Sequence, residues 1–159
     1  MTTRAIQDEW LERASLCWGC GRNNPQGLHL KSYWNDDETV ATFVPDEHHL
    51  AFPGILNGGI ITTIIDCHCT GTANAFAHKN EGSKHIIHVT ASISVRFHKP
   101  TPVDKPVTLR ARVKESDGHK TIVTCSLYSG DCECATGEVL TVGVALDDFV
   151  KRESPNFKQ

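Results

Sequence analysis

The chain has 159 residues, of which 39% are hydrophobic and 22% are charged, a balance typical of a globular domain rather than a disordered chain. This length predicts a single domain over residues 1–159 that buries a core without disulfides or metals. The formal net charge of -3 argues against a protein that binds nucleic acid through electrostatics. No run approaches the roughly 18 apolar residues of a spanning helix, and the N-terminus lacks a signal-like apolar segment, so we expect no membrane partner.

The first part of the chain, residues 1–27, is predicted to contain a helix and a loop. Residues 5–15 place apolar side chains at helical spacing, which favours a short amphipathic helix. The next residues, 16–27, are rich in Gly and Asn and favour a loop. Two short strands, 28–34 and 38–44, follow, and the polar turn between them favours a hairpin.

A long helix is predicted from Ile60 to about Lys79, after the N-cap candidate Asn57. The segment lacks proline and is about twenty residues long, which is too long for a strand. Its residues are apolar or small nearly all the way round. Such a helix is expected to be covered by other elements on several sides.

The second half of the chain is predicted to be β structure. Apolar and polar residues alternate along four segments: 86–99, 107–114, 121–129 and 138–146. Their hairpin spacing predicts a meander of antiparallel strands. The fold class is therefore α+β, with one long central helix wrapped by an antiparallel sheet. The core extends over about 28–147, and residues 148–159 form a tail.

Seven cysteines are present, an odd number that argues against a complete disulfide framework and favours a reducing, cytoplasmic location. Cys17-x-x-Cys20 has the spacing of metal ligands, and Cys132-x-Cys134 offers a second pair. The two pairs are unlike and about 110 residues apart, so a zinc site is the less favoured hypothesis. We expect reduced thiols, no metal and no cofactor.

Asp66 lies in the middle of the apolar helix and does not fit its surroundings. A buried, ionised carboxylate is costly unless hydrogen-bond donors hold it or its pKa shifts. Thr62, Thr70 and Gly71 form a narrow polar stripe with Asp66 on the helix. That stripe suits either solvent or a cleft, and the sequence leaves both interpretations open.

The start of the helix, Asn57-Gly58-Gly59, is the second unusual feature. Adjacent glycines let a ligand approach the backbone, and the free N–H groups there suit a negatively charged oxygen. The alternative is a plain Asn cap. Eight residues, about 12 Å of helix, separate Gly58 from Asp66. Both groups can therefore act on one small group only if they come from two subunits of a homodimer.

Residues 52–66, FPGILNGGIITTIID, resemble the helix-start motif of hotdog-fold acyl-CoA thioesterases, and most closely the PaaI-like branch. The family pattern is His-Gly-Gly, six residues, then Asp. Residues 90–100 resemble the long central strand of the family, which ends in a proline-containing turn. Residues 17–28, CWGCGRNNPQGL, also occur in part of the family. The resemblance covers about residues 17–146.

This resemblance implies a homodimer, often a dimer of dimers, that hydrolyses an acyl-CoA thioester at the dimer interface. The N–H group of Gly58 would polarise the thioester carbonyl. Asp66 of the other subunit would activate water as a general base or attack directly as a nucleophile. Thr90 occupies the place of a Ser or Thr that helps to position the water in related enzymes. No nucleic acid takes part.

One position departs from the family pattern, because Asn57 stands where many members have His. The backbone role of Gly58 is unaffected, and Asn57 can cap the helix and donate to a carbonyl. Gly59 and Lys99, the latter beside the proline turn, are the predicted substrate-binding residues. His68 is expected to be a packed or surface residue. Basic residues that could hold CoA phosphates are, by residue type, Arg96, His98, Lys99, Arg110 and Arg112.

Two other functions on the same fold stay open. A dehydratase or hydratase needs a further catalytic His, and here His49 is displaced from the Pro53-Gly54 element that it would precede. A non-catalytic acyl-CoA or ligand binder is favoured by the missing family His and disfavoured by the presence of Asp66.

Overall fold

The computed structural model describes residues 3–81 and 85–150. These residues form six strands and two helices: β1 (Ser32–Asn35), β2 (Glu38–Phe43), α1 (Gly58–Glu81), β3 (Ile86–Phe97), β4 (Val107–Ser116), β5 (Lys120–Ser129), β6 (Cys132–Ala145) and α2 (Leu146–Val150). The strands form one antiparallel sheet in the order β1-β2-β4-β5-β6-β3. The prediction of an α+β fold with one long helix against an antiparallel sheet is confirmed. Residues 151–159 of the predicted tail lie outside the described residues.

Helix α1 packs against the sheet, and its buried residues form the centre of the core. Ile64 and Ile65 are fully buried and belong to the same apolar cluster as Leu109 of β4 and Val139 of β6. Burying an aliphatic side chain of this size stabilises the fold by about 1.5–3 kcal/mol. The helix begins two residues before the predicted start and ends two residues after the predicted end. Within the two described ranges, 3–81 and 85–150, no helix has the length and apolarity needed to cross a membrane.

The strands next to the helix have one buried and one exposed face. On β4, Leu109 and Ala111 are buried against the core, whereas Arg110 and Arg112 are exposed on the opposite face. The period-2 pattern of the sequence therefore identified the face that covers the helix.

Strand β3 does not take the place that a simple meander predicts. It pairs with β6, and β4 pairs with β2 and β5. The connection from β3 to β4 carries Pro100, Pro102 and Pro106, which cannot donate to a strand ladder and are unsuited to a tight hairpin. Strand β6 also starts six residues earlier than predicted, at Cys132. Because β3 pairs only with β6, it is an edge strand: in the part of the chain that is described, no strand pairs with its outer side.

The predicted helix over residues 5–15 is wrong. The structure has two short 3-10 segments, Ile6–Glu9 and Glu12–Leu16, with extended backbone at Trp10 and Leu11 between them. The physical reason is a tertiary contact. The buried Gln7 side chain hydrogen-bonds to the backbone and hydroxyl of Ser32, and tertiary contacts of this kind override local helix propensity.

His68 is fully buried and belongs to a polar network between α1 and the sheet. Its Nε2 donates to the carbonyl oxygen of Thr39 at 3.2 Å, so its Nδ1 accepts from the hydroxyl of Ser32 at 2.8 Å. The Thr39 hydroxyl also lies 2.5 Å from that of Thr72. Burial lowers the pKa of His68 to about 4, which keeps the ring neutral. The expectation of a packed rather than catalytic His68 agrees with these contacts.

Candidate active site

Asp66 takes part in a chain of hydrogen bonds between α1 and β3. The hydroxyl of Thr90 donates to Oδ1 of Asp66 at 2.6 Å. The hydroxyl of Thr70, one turn along the helix, lies 2.9 Å from that of Thr90. Because Thr90 has a single hydroxyl proton, which goes to Asp66, Thr70 donates to Thr90. Two of the residues from the polar stripe of the sequence, Asp66 and Thr70, therefore contact β3.

The surroundings of Asp66 suit a proton acceptor. The side chain is half-buried, and this burial raises the pKa of Asp66 above its ordinary value. The hydrogen bond from Thr90 opposes the shift by stabilising the charged form, and negative charge on the nearby Cys17 sulfur adds to it. A carboxylate that is held in place, partly desolvated and made more basic is well suited to take a proton from water.

Asn74 fixes the position of β3 against the helix. Its Nδ2 donates to the carbonyl oxygen of His88 at 2.9 Å, and its Oδ1 accepts from the N–H of His88 at 2.8 Å. Since Asn74 lies two turns after Asp66 and His88 lies two residues before Thr90, this pair of bonds sets the register of Asp66 and Thr90. Asn74 is not among the residues predicted from the sequence, although an amide in an apolar helix is a signal of the same kind as Asp66.

A register shift lies beside this contact. The pairing of β3 with β6 skips one residue between Thr90 and Ser92, which indicates a β-bulge. Bulges re-aim side chains and are frequent beside active sites. Here the bulge adjoins the residue that holds the carboxylate.

At the start of α1, Asn57 caps the helix with its side chain. Its Oδ1 accepts from the N–H of Gly59 at 2.7 Å and from that of Ile60 at 3.2 Å. Within the described residues, the N–H of Gly58 has no acceptor, and neither does the side-chain NH₂ group of Asn57. Gly58 is therefore the free amide at this helix start, whereas the amide of Gly59 is engaged by the cap.

The end of β3 lies beside the helix start. A Cβ atom on Gly58 would lie 3.4 Å from the ring of Phe97, the last residue of β3. Lys99 follows in the exposed turn, where its N–H donates to the carbonyl of Cys134 at 3.2 Å. The substrate-binding roles of Gly59 and Lys99 stay predictions.

Three of the basic residues considered for phosphate binding lie elsewhere. Arg96, Arg110 and Arg112 line a cavity of about 540 Å³ on the sheet face that points away from α1. Arg110 and Arg112 form ion pairs with Glu38. Although burial raises the pKa of Glu38, its hydrogen bond and ion pairs with these arginines outweigh that effect and lower it. Arg110 and Arg112 are thus already paired within the chain.

The site has two halves that lie apart along one helix. Gly58 and Asp66 are separated by eight helical residues, or about 12 Å. The carboxylate of Asp66 must lie within hydrogen-bonding distance of the attacking water, and the N–H of Gly58 within that distance of the carbonyl oxygen. Within one chain these two groups are too far apart to act on the same small group.

Comparison with known proteins identifies related sequences. A sequence model of the thioesterase superfamily matches residues 53–136, just over half of the chain. The acyl-coenzyme A thioesterase THEM4 of Bos taurus is 26% identical over 149 residues, which cover 91% of this chain and 56% of that protein. The chain spans about half the length of the curated relatives that it matches.

Solved structures show the same architecture. A thioesterase superfamily protein from Shewanella loihica is 36% identical, with a TM-score of 0.61 over 71% of this chain and 89% of that chain. The PaaI protein of E. coli, from the phenylacetic acid degradation operon, superposes with a TM-score of 0.63 over 74% of this chain and 81% of its own. Its identity of 12% makes this a likeness of fold alone.

Proposed function

The chain belongs to the thioesterase superfamily and has the hotdog fold, and from this premise we propose that it hydrolyses an acyl-CoA thioester to a free acid and CoA. The observation that carries the proposal is the half-buried Asp66 carboxylate held by Thr90. The THEM4 relatives, which are named acyl-coenzyme A thioesterases, support the substrate class. A cytoplasmic location stays a prediction.

We propose that the active site forms between two subunits. Strand β3 is twelve residues long, and no strand among the described residues pairs with its outer edge, which is therefore a template for pairing with a second strand. Antiparallel pairing of β3 with the β3 of a second copy gives a twofold, self-complementary interface. Because Phe97 of β3 lies next to Gly58, and Thr90 of β3 binds Asp66, such pairing brings the helix start of one subunit towards Asp66 of the other. Further association into a dimer of dimers stays a prediction.

In the proposed reaction, Asp66 accepts a proton as water attacks the thioester carbonyl carbon. The carbonyl oxygen gains negative charge and accepts a hydrogen bond from the N–H of Gly58. When the tetrahedral intermediate collapses, the C–S bond breaks, the electron pair leaves on the CoA sulfur, and the proton held by Asp66 is available to that thiolate. Attack by Asp66 itself would instead form an anhydride that water then hydrolyses. After one turnover in heavy-oxygen water, label in the Asp66 carboxylate would establish the anhydride route, with water attacking the Asp66 carbonyl.

A panel of acyl-CoAs with short, long and aromatic acyl groups tests the proposed function. Thiol release measured with a thiol-reactive dye, together with mass spectrometry of the acid product, is the expected result. Hydration of an enoyl-CoA without thiol release would identify a hydratase and contradict the proposal. Saturable acyl-CoA binding without either reaction would contradict it in favour of a ligand-binding protein.

Replacing Thr90 by valine removes the hydroxyl that donates to Asp66 and keeps the shape of the side chain. A hydrogen bond to a charged group contributes about 1.5–3 kcal/mol, so we expect kcat to fall by about 10–100-fold. Thr70→Val is the matched control, because it removes only the hydroxyl that donates to Thr90, and we expect a smaller loss. Equal kcat values for Thr90→Val and the unchanged protein would remove Thr90 from the mechanism.

A further inference from the structure

Three cysteine sulfur atoms meet where the N-terminal loop crosses helix α1. The Sγ atoms of Cys17, Cys20 and Cys67 all lie within 4.8 Å of one another. Those of Cys17 and Cys67 are 3.7 Å apart. Cys20 and Cys67 are buried, Cys17 is exposed, and all three are free thiols. The proposed hydrolysis uses none of these side chains.

The sulfur spacing agrees with that of a tetrahedral zinc site. A Zn–S bond length of about 2.3 Å in tetrahedral geometry places neighbouring sulfurs about 3.8 Å apart. The Cys17–Cys67 distance of 3.7 Å matches this value, and the other two pairs of sulfurs lie within 4.8 Å. The three cysteines also provide soft thiolate ligands, which bind zinc in preference to magnesium or calcium.

The loop has the local features of a metal-binding turn. The N–H of Gly21 donates to the carbonyl oxygen of Cys17 at 2.8 Å, which closes a tight turn around Cys17 and Cys20. A Cβ atom on Gly19 would lie only 2.4 Å from the sulfur of Cys67. A glycine at this position is therefore what allows the loop to approach the helix closely enough to bring the three sulfurs together.

We propose that Cys17, Cys20 and Cys67 bind one zinc ion, with water or another exogenous donor in the fourth position. Binding releases the thiol protons to solvent and leaves three thiolates around the metal. The sequence hypothesis paired Cys17 and Cys20 with Cys132 and Cys134. Within residues 3–81 and 85–150, the last two belong to no cluster of three potential ligands. The third ligand is instead on the helix, directly after Asp66, and the ion would fix the N-terminal loop beside that carboxylate.

The metal content of the purified protein tests this proposal. The chain is produced in zinc-supplemented medium, purified without chelators and analysed by elemental mass spectrometry. We expect about one zinc per chain. The variants Cys17→Ser, Cys20→Ser and Cys67→Ser are each expected to lose it by more than about tenfold. The matched control Cys132→Ser should keep the full content. Zinc that is retained in the three variants, or lost equally in the control, would overturn the proposal.

A second measurement on the unchanged chain avoids the case in which a variant fails to fold. The fully reduced, metal-free protein is titrated with Co²⁺, and a thiolate-to-cobalt charge-transfer band is expected in the near ultraviolet. Saturating zinc should protect the exposed thiol of Cys17 from a thiol-reactive dye. Absence of the charge-transfer band, unchanged reactivity of Cys17 in saturating zinc, or a disulfide within the trio as the only stable state would overturn the proposal. Because no substrate is used, this outcome is independent of the hydrolysis assay.

Discussion

Asp66→Asn is expected to lower kcat by about 10²–10⁴-fold, the usual contribution of a general base. The amide has the shape of the carboxylate, and its oxygen can still accept the hydrogen bond from Thr90, so the local structure should persist. It cannot take a proton from water, and it is a poor nucleophile. The loss should therefore appear in kcat, measured by thiol release, and leave acyl-CoA affinity largely unchanged.

The oligomeric state of Asp66→Asn, measured by analytical ultracentrifugation, is the control for this prediction. An unchanged state together with lost turnover assigns the effect to chemistry. Turnover at the original rate in the variant would remove Asp66 from the mechanism.

Gly58→Pro is expected to lower kcat by about 10²–10³-fold, the cost of losing one oxyanion-hole donor in a well-studied protease. Gly58 is the first residue of α1, and this is the helical position that best tolerates proline, because the missing N–H has no partner within the helix. The substitution thus removes the one N–H group that the proposed mechanism uses at the start of the helix. Far-ultraviolet circular dichroism should show an unchanged helix content.

Gly58→Ala separates the loss of the amide hydrogen from the effect of added bulk. Its Cβ would lie 3.4 Å from the ring of Phe97, an ordinary van der Waals contact, and the N–H group stays. We expect it to lose far less activity than Gly58→Pro. Equal losses in the two variants would show that the side chain, and not the amide, is responsible.

Mixing the two inactive variants tests whether the site spans two subunits. If the amide of Gly58 and the carboxylate of Asp66 come from different chains, a mixed dimer holds one intact site of two. Random exchange makes half of the dimers mixed, so about one quarter of the original activity should return. Native mass spectrometry verifies that mixed dimers have formed. If they are present and no activity returns, both groups act from one chain.

Features that depend on local sequence were predictable. The cap residue and the apolar composition defined α1 to within two residues at each end, since such signals act over one helical turn. The alternation along β4 identified its buried face. Asp66 was noticed because a charge within an apolar helix demands a partner.

Features that depend on contacts between distant residues were not predictable. The prolines after β3 argue against a hairpin with β4, but they do not identify β6 as the partner strand, because β3 and β6 are far apart in the chain. The N-terminal segment has helical periodicity, yet the contact of Gln7 with Ser32 holds it in another shape. The position of Cys67 beside Cys17 was hidden for the same reason, because the helix and the loop meet only in the folded chain.

The two hydrogen bonds between Asn74 and the backbone of His88 have a consequence for selectivity among acyl groups in the proposed reaction. They hold the strand that carries Thr90 against the helix that carries Asp66, so little reorganisation remains for the proposed chemical step. With the reacting groups fixed in this way, the rate of the chemical step should be similar for different thioesters. Discrimination between short, long and aromatic chains must then arise from the surfaces that surround the hydrocarbon tail, and exchanging residues there should change preference without altering the intrinsic rate.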